Sequence, residues 1–378
     1  MNIAERARGI FPSQIRRITD RARPTSIHLG LGQPDTAIHP DVQRALADYL
    51  KIGRAPYTPN LGTNAAREAV AKHLKIDASE VMITLGVQEG LAVTLLGTVN
   101  PGEEVLVPDP GFPAYANLVR AAGAIPVGYS LESGNWGLSA AAIESVITPK
   151  TRAIVLNSPS NPTGAVHAAA DLLQVLELCS AKGIHWISDE IYEDFVYVGS
   201  HVSPAESHPD QGLRIGGLSK SHSMMGWRIG WVTGHPDVIE SLKGLHQHLV
   251  TSACGAAQAA LPVALDVHSS HVDSMRRIFH ARGLSLQDGL RQGGLECPDP
   301  VGAFYHFVHV PEASRILGGT IPLAEAILDH ADVVTIPGFG FGTGGEGYLR
   351  LAYTVSDDLL FEAASKVASF VAEVVQRG

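Results

Sequence analysis

Between residues 64 and 234 the hydrophobic pattern alternates between two periods. Runs that are largely apolar, at 81–85, 104–108, 153–157 and 184–188, read as strands buried on both faces. Between them lie stretches with helical spacing, at 64–74, 88–99, 115–122 and 168–182. That rhythm predicts a mostly parallel sheet covered by helices. Ahead of it, helical spacing at 13–23 and a short apolar segment at 27–35 describe an arm; a proline opens a further helix at 40–49, and 57–63 is a loop. Beyond Pro236 the pattern changes to long helical stretches at 238–249, 255–267 and 272–290. A segment at 302–310, a helix at 322–330, a strand at 333–336, a glycine-rich loop, a strand at 347–353 and a last helix at 357–375 follow. The expected fold class is α/β: a large domain with a mostly parallel sheet flanked by helices, plus a smaller α+β domain built from the C-terminal part and the N-terminal arm. The expected boundaries are 1–35 for the arm, 36–255 for the large domain and 256–378 for the small one. No fixed-period repeat is present.

Composition narrows the function classes. The 378 residues are 45% hydrophobic and 17% charged, enough for a substantial core. A formal net charge of -10 without a long basic block argues against nucleic acid or an anionic membrane as partner. Cys179, Cys254 and Cys297 lie far apart, without metal-ligand spacing. Residues 1–12 lack the apolar centre of a signal peptide, and no run approaches the roughly 18 apolar residues of a membrane span. A reducing, cytoplasmic setting is the default expectation.

The candidate chemistry sits at strand ends, where ligands of open α/β sheets collect. Lys220 stands in a polar loop between a short apolar lead and the apolar run 227–232, read as a buried strand. A lysine in such a place is a surface loop residue, or an amine desolvated until it is nucleophilic and able to join a carbonyl. Arg228, eight residues on, is placed to meet an anion. After strand 81–85, Gly86-Val87-Gln88 leads into a helix whose free N–H groups make a phosphate seat, or simply a tight turn. After strand 153–157, Asn161 is held extended by the following proline, presenting its amide or merely making a turn. After strand 184–188 come Asp189 and Tyr192, three apart and able to face one ligand, with a helix N-cap as the plain alternative for the aspartate. Phe112 lies in the rigid turn 109–115, as a ring that covers a flat ligand or as core.

An anion seat, an acid, an amide, a phenol, a stacking ring and a carbonyl-reactive lysine are together what pyridoxal phosphate requires. The order and spacing of Asn161-Pro-Thr-Gly164, Asp189-Glu-Ile-Tyr192, Ser219-Lys220 and Gly226-Trp-Arg-Ile-Gly230 resemble the class I/II aminotransferases of the aspartate aminotransferase superfamily, fold type I. The resemblance runs from Leu29 to Tyr353. It implies pyridoxal 5′-phosphate as cofactor, with Lys220 forming the internal aldimine and then shuttling the proton. It implies that Asp189 holds the pyridine nitrogen protonated, that Asn161 and Tyr192 hydrogen-bond the ring oxygen, and that Phe112 stacks on the ring. Arg228, Ser219 and the backbone at Gly86, Val87 and Gln88 then bind phosphate. Arg350, helped by Gly32 and Asn161, clamps the substrate α-carboxylate, and Tyr57 reaches the phosphate of the neighbouring subunit, implying a homodimer with shared sites. The implied substrates are an L-amino acid and a 2-oxo acid, exchanged by a ping-pong route.

The chain departs from the family pattern at Gly217, where serine is frequent, so a phosphate contact is missing or comes from Ser221. Val87 and Gln88 replace smaller or hydroxyl residues in the phosphate turn. Cis bonds before Pro110 and Pro162 are a further expectation from the resemblance. Gly340-Phe-Gly-Thr-Gly-Gly345 matches a dinucleotide pattern by letter but precedes a strand, and reads instead as the loop presenting Arg350. The pairs His246/His248 and His306/His309 lack a third ligand and read as surface or core histidines. Two rival functions share these parts: another enzyme of the same cofactor class, such as a carbon–sulfur β-lyase, and a cofactor-binding regulatory module. For the substrate side chain, Arg16, Arg17, Arg23 or Lys243 would suit a second carboxylate, and Ile10 and Phe11 an apolar group.

Overall fold

Twelve strands and the helices around them form three sheets in the computed structural model, which describes residues 2–10, 12–132 and 134–378. In chain order the strands are β1 Ile27–His28, β2 Val81–Thr84, β3 Glu104–Asp109, β4 Ile125–Ser130, β5 Thr151–Asn157 and β6 His185–Asp189, followed by β7 Gly212–Gly217, β8 Gly230–Thr233, β9 Tyr305–His309, β10 Val333–Val334, β11 Ile336–Pro337 and β12 Tyr348–Ala352. The seven-stranded sheet has the order β2-β8-β7-β6-β5-β3-β4, and β8 alone runs antiparallel to its neighbours. The parallel α/β fold class holds. Helices cover both faces, burying Val105, Val107, Val155 and Ile187 on one side and Leu106, Ile154, Leu156 and Trp186 on the other. Successive side chains of a strand point to opposite faces, so runs whose consecutive central residues are apolar fit a sheet covered twice.

A three-stranded antiparallel sheet, β11-β12-β9, and the short parallel pair β1/β10 make up the rest. The arm joins the C-terminal elements there: Ile18, Ile27 and Leu29 are buried in the same core as Val333, Leu351 and Val367. Arg17 and Arg21 pair with Glu325, and Arg23 with Asp332, along this seam.

Three expectations are corrected by the structure, and one element is added. The strand expected at 227–232 begins only at Gly230, because Met225–Trp227 forms a 3₁₀ turn and Arg228 takes the left-handed conformation at φ 52. The strand expected at 333–336 is two strands in different sheets, broken at Thr335. The arm helix covers only Gln14–Thr19, capped by Ser13. Strand β4 was not foreseen: Pro126 and Gly128 interrupt its apolar pattern, which an edge strand tolerates. By contrast, the helix Asn64–Leu74 has both expected ends, with Thr63 accepting from the Ala66 N–H at one and Lys75 in the left-handed region at the other.

Candidate active site

The carboxyl ends of β2, β5, β6 and β7 open on one cavity of about 650 Å³, closed over by the arm and by residues of β9 and β12. Gly32, Asn161, Asp189, Tyr192, Lys220 and Arg350 line it, and so do Val87, Gln88, Phe112, Ser219 and Arg228. Gly86 stands directly behind Arg228, and Tyr57 lies outside the cavity, 86% exposed.

Lys220 follows β7 by three residues, in a turn held by the His222 and Met224 N–H groups donating to the Leu218 carbonyl. Its Nζ donates to the carbonyl of Gly32 at 2.7 Å and lies 5.9 Å from the centre of the Tyr192 ring. Burial, reinforced by the Arg350 guanidinium, lowers the amine to about 8. A usable share is therefore neutral near pH 7, as a nucleophilic amine requires.

Asp189 closes β6 and is almost fully buried. It accepts the hydroxyl of Tyr115 at 2.8 Å and the Ile191 N–H at 3.2 Å. Burial pushes its carboxyl up to about 6, against those two bonds, and no cation pairs with it among the described residues. Beside it, Asn157 donates to the Asp189 carbonyl and accepts the Asn161 N–H, each at 2.9 Å, fixing the turn that carries Asn161. The Asp109–Pro110 and Asn161–Pro162 bonds are cis, as the resemblance implied, and so is Ser158–Pro159.

An anion seat lies at the start of the helix Val87–Thr98. Its N-cap, Gly86, has φ 81 and no side chain to cap the first turn, so the N–H groups there remain free. The Arg228 guanidinium fills the space a side chain at Gly86 would take, 2.6 Å from the position of a Cβ. Ser219 borders the same end of the cavity. Ser221 does not: it is buried, and its Oγ shares a 2.9 Å hydrogen bond with His222. The expectation that it replaces the missing serine fails because its side chain is turned into the core. Gly217 is itself a packing requirement, since a Cβ there would meet the Ile229 carbonyl at 2.9 Å and the Gly230 Cα at 3.0 Å.

Arg350, on β12, is buried at the opposite end. It donates to Asn161 Oδ1 at 2.9 Å and to the Gly30 carbonyl, while its Nε is buried without a partner. The Tyr305 and Phe341 rings lie 4.5 and 4.9 Å from the guanidinium carbon. With no carboxylate among these contacts, the guanidinium is poised for an external anion. Of the cations considered for a second carboxylate, Arg17, Arg23 and Lys243 are committed to surface pairs; Arg16, 4.0 Å from Asp20, also borders the cavity with Ile10. Phe11 lies outside the described residues.

Sequence reasoning missed Tyr115, Asn157 and Tyr305. Tyr115 follows Phe112 by one helical step, a spacing that would have drawn attention to it; Tyr305 reaches the site from 113 residues beyond its partner Tyr192 and left no local signal. The dismissed histidines are used in packing: His246 pairs with Glu89 at 3.1 Å and His306 bonds the Gly283 carbonyl at 2.8 Å. The Gly340 loop forms 3₁₀ turns that run into β12, not a helix. Among the described residues no helix is long and apolar enough to cross a membrane.

Comparison with known proteins agrees with this geometry. The family described as aminotransferase class I and II matches residues 24–367. An aspartate aminotransferase of Geobacillus stearothermophilus is 34% identical, over 98% of this chain and 99% of its own. An aromatic-amino-acid aminotransferase of Thermococcus litoralis is 32% identical, over 99% of both. The structure of aspartate aminotransferase from Thermus thermophilus with maleate superposes with a TM-score of 0.92 at 29% identity, covering 98% of this chain and 99% of that one. The chain therefore belongs to the class I and II aminotransferases, in the fold type I superfamily.

Proposed function

We propose that the chain is a pyridoxal 5′-phosphate-dependent aminotransferase that moves an amino group from an L-amino acid to a 2-oxo acid, one half-reaction at a time. The observation that carries this reading is the convergence on one cavity of the softened Lys220 amine, the unpaired acid Asp189, the anion seat at Arg228 and the buried Arg350. The residues fit the cofactor: the uncapped helix start suits its phosphate, and an acid held up to about 6 by burial is one that a ring cation would relieve. Bound there, the cofactor supplies an aldehyde and a ring that accepts an electron pair from the substrate Cα.

The rest is the work of the chain. Gly86, Val87 and Gln88 offer backbone N–H groups to the phosphate, with Arg228 and Ser219 beside them. Asp189 keeps the ring nitrogen protonated, Asn161 and Tyr192 hold the ring oxygen, and Phe112 covers the ring face. Lys220 would hold the cofactor through its aldehyde and would then move a proton to and from the substrate carbon. Arg350, with Gly32 and Asn161 at its side, takes the α-carboxylate in a two-point grip. Tyr57, exposed and away from its own cavity, completes the site of a second copy in a homodimer.

The test is the half-reaction. An amino acid alone should convert the bound aldehyde to the amine, moving the visible absorbance, and a 2-oxo acid should restore it. Release of ammonia and pyruvate alone would favour the β-lyase. Lys220→Ala should abolish turnover while the phosphate end still holds cofactor; normal activity in that variant would sink the assignment. Donors screened against 2-oxoglutarate and pyruvate identify the side chain accepted.

A further inference from the structure

Tyr305 joins two ends of the site that the reading above treats separately. It is the first residue of β9, and its hydroxyl lies 2.7 Å from that of Tyr192, which follows β6. Both rings are buried and meet edge to face with centres 5.7 Å apart. The other side of the Tyr305 ring carries the Arg350 guanidinium at 4.5 Å. Gly32, whose carbonyl receives Lys220, can only be glycine here, because a Cβ would overlap the Tyr305 hydroxyl.

Hydrogen counting gives this contact a direction. A phenol has one hydrogen to donate and two lone pairs. If Tyr192 spends its hydrogen on Tyr305, it has none for a ligand; if Tyr305 donates, the Tyr192 hydrogen is free to point into the cavity. Burial raises both hydroxyls and the Arg350 guanidinium draws both down, but it lies directly against the Tyr305 ring, at 4.5 Å, and not against that of Tyr192, which favours Tyr305 as the donor of the pair. We propose that Tyr305 is a positioning residue: its hydroxyl donates to Tyr192 and turns the Tyr192 hydrogen toward the cofactor's ring oxygen, while its ring holds the Arg350 guanidinium at the carboxylate end. The proposal rests on the cofactor reading of the preceding section.

The Tyr192 hydrogen competes for the ring oxygen with the proton on the Lys220–cofactor link, so weakening it makes that proton harder to remove. The experiment is a spectrophotometric pH titration of the loaded enzyme's visible band in wild type, Tyr305→Phe, Tyr192→Phe and the double variant, with KM for one amino donor. Tyr305→Phe should move the midpoint upward by about one pH unit or less, the scale of one neutral hydrogen bond. Tyr192→Phe should move it further, and the double variant should match Tyr192→Phe, because the Tyr305 hydroxyl acts only through Tyr192. Since the ring stays under Arg350, Tyr305→Phe should leave KM within about twofold, whereas Tyr305→Leu should raise it by about fivefold or more. The midpoint in Tyr305→Leu, which also lacks the hydroxyl, should move in the same direction, a second reading if Tyr305→Phe folds poorly.

An unmoved midpoint in Tyr305→Phe, or a double variant shifted by the sum of the singles, overturns the proposal while leaving the cofactor reading intact. A wild-type spectrum indistinguishable from that of Lys220→Ala overturns the cofactor reading, and the Tyr305 proposal with it.

Discussion

Asp189 and Glu190 are adjacent, both acidic and both buried, yet they live in opposite electrostatic worlds. Asp189 faces the cavity and its hydrogen-bond partners, Tyr115 and a backbone N–H, are neutral; although the Lys220 charge draws it down, burial holds its carboxyl at about 6. Glu190 faces the other way, where burial alone would raise it. There Arg214 at 2.8 Å, His201 at 2.9 Å and Ser203 at 2.7 Å instead pull it down to about 2. Arg214 reaches Glu193 as well, so the cluster of Glu190, Glu193 and His201 is already filled by a guanidinium. The contrast teaches that a completed buried pair supports the fold, whereas a buried acid kept short of a cation is an acid reserved for a ligand.

The comparison can be broken in three ways. The largest expected effect is on stability at Glu190: Glu190→Ala strands Arg214 and should cost about 3–5 kcal/mol in denaturant unfolding, while kcat per folded molecule stays within about twofold of wild type. Loss of turnover without loss of stability would reverse the roles assigned to the two acids.

Asp189→Asn should do the opposite, lowering kcat by about 10² to 10³-fold with the fold intact. It should also stabilise the cofactor-free protein at pH 7 by about 2–3 kcal/mol at most. The sign follows from proton counting. A carboxyl raised from 3.8 to about 6 leaves the folded chain holding more protons than the unfolded one across that window, so its contribution to stability falls as pH rises through it. Glu190, lowered from 4.5 to about 2, contributes stability that is present above pH 4.5 and lost as pH falls toward 2. A cofactor-free Asp189→Asn protein less stable than wild type at pH 7 would end the contrast.

The smallest effect concerns Lys220. With its amine held near 8, the rate at which cofactor-free protein captures pyridoxal phosphate should climb about tenfold between pH 7 and pH 9 and then level off. A rate still climbing steeply at pH 10 would mean that burial does not soften this amine.

Much of the site was legible because strand ends announce themselves locally. The largely apolar run at 184–188 gives way to the acidic pair Asp189-Glu190, and a glycine opening a helix marks an anion seat without knowledge of the rest of the fold. Local reading failed where two conformations compete. At 227–232 the apolar letters suit a strand, but the backbone of Arg228 turns left-handed to bring its guanidinium against Gly86. At 333–336 a single apolar run serves two sheets, a division set by its partners β1 and β12.

What the sequence determined by itself was the period of each element and the identity of the groups at the strand ends, since both depend on residues a few positions apart. Tertiary structure alone decided which charges are left unpaired. Asp189 and Glu190 differ by one position, and only the placement of Tyr115 on one side and Arg214 on the other makes one an acid in waiting and the other a finished pair. Tyr305 gives the same lesson: its hydroxyl matters because β9 delivers it to Tyr192 across 113 residues of chain. Burial and pairing are set by such long-range neighbours, and no periodicity along the chain encodes them.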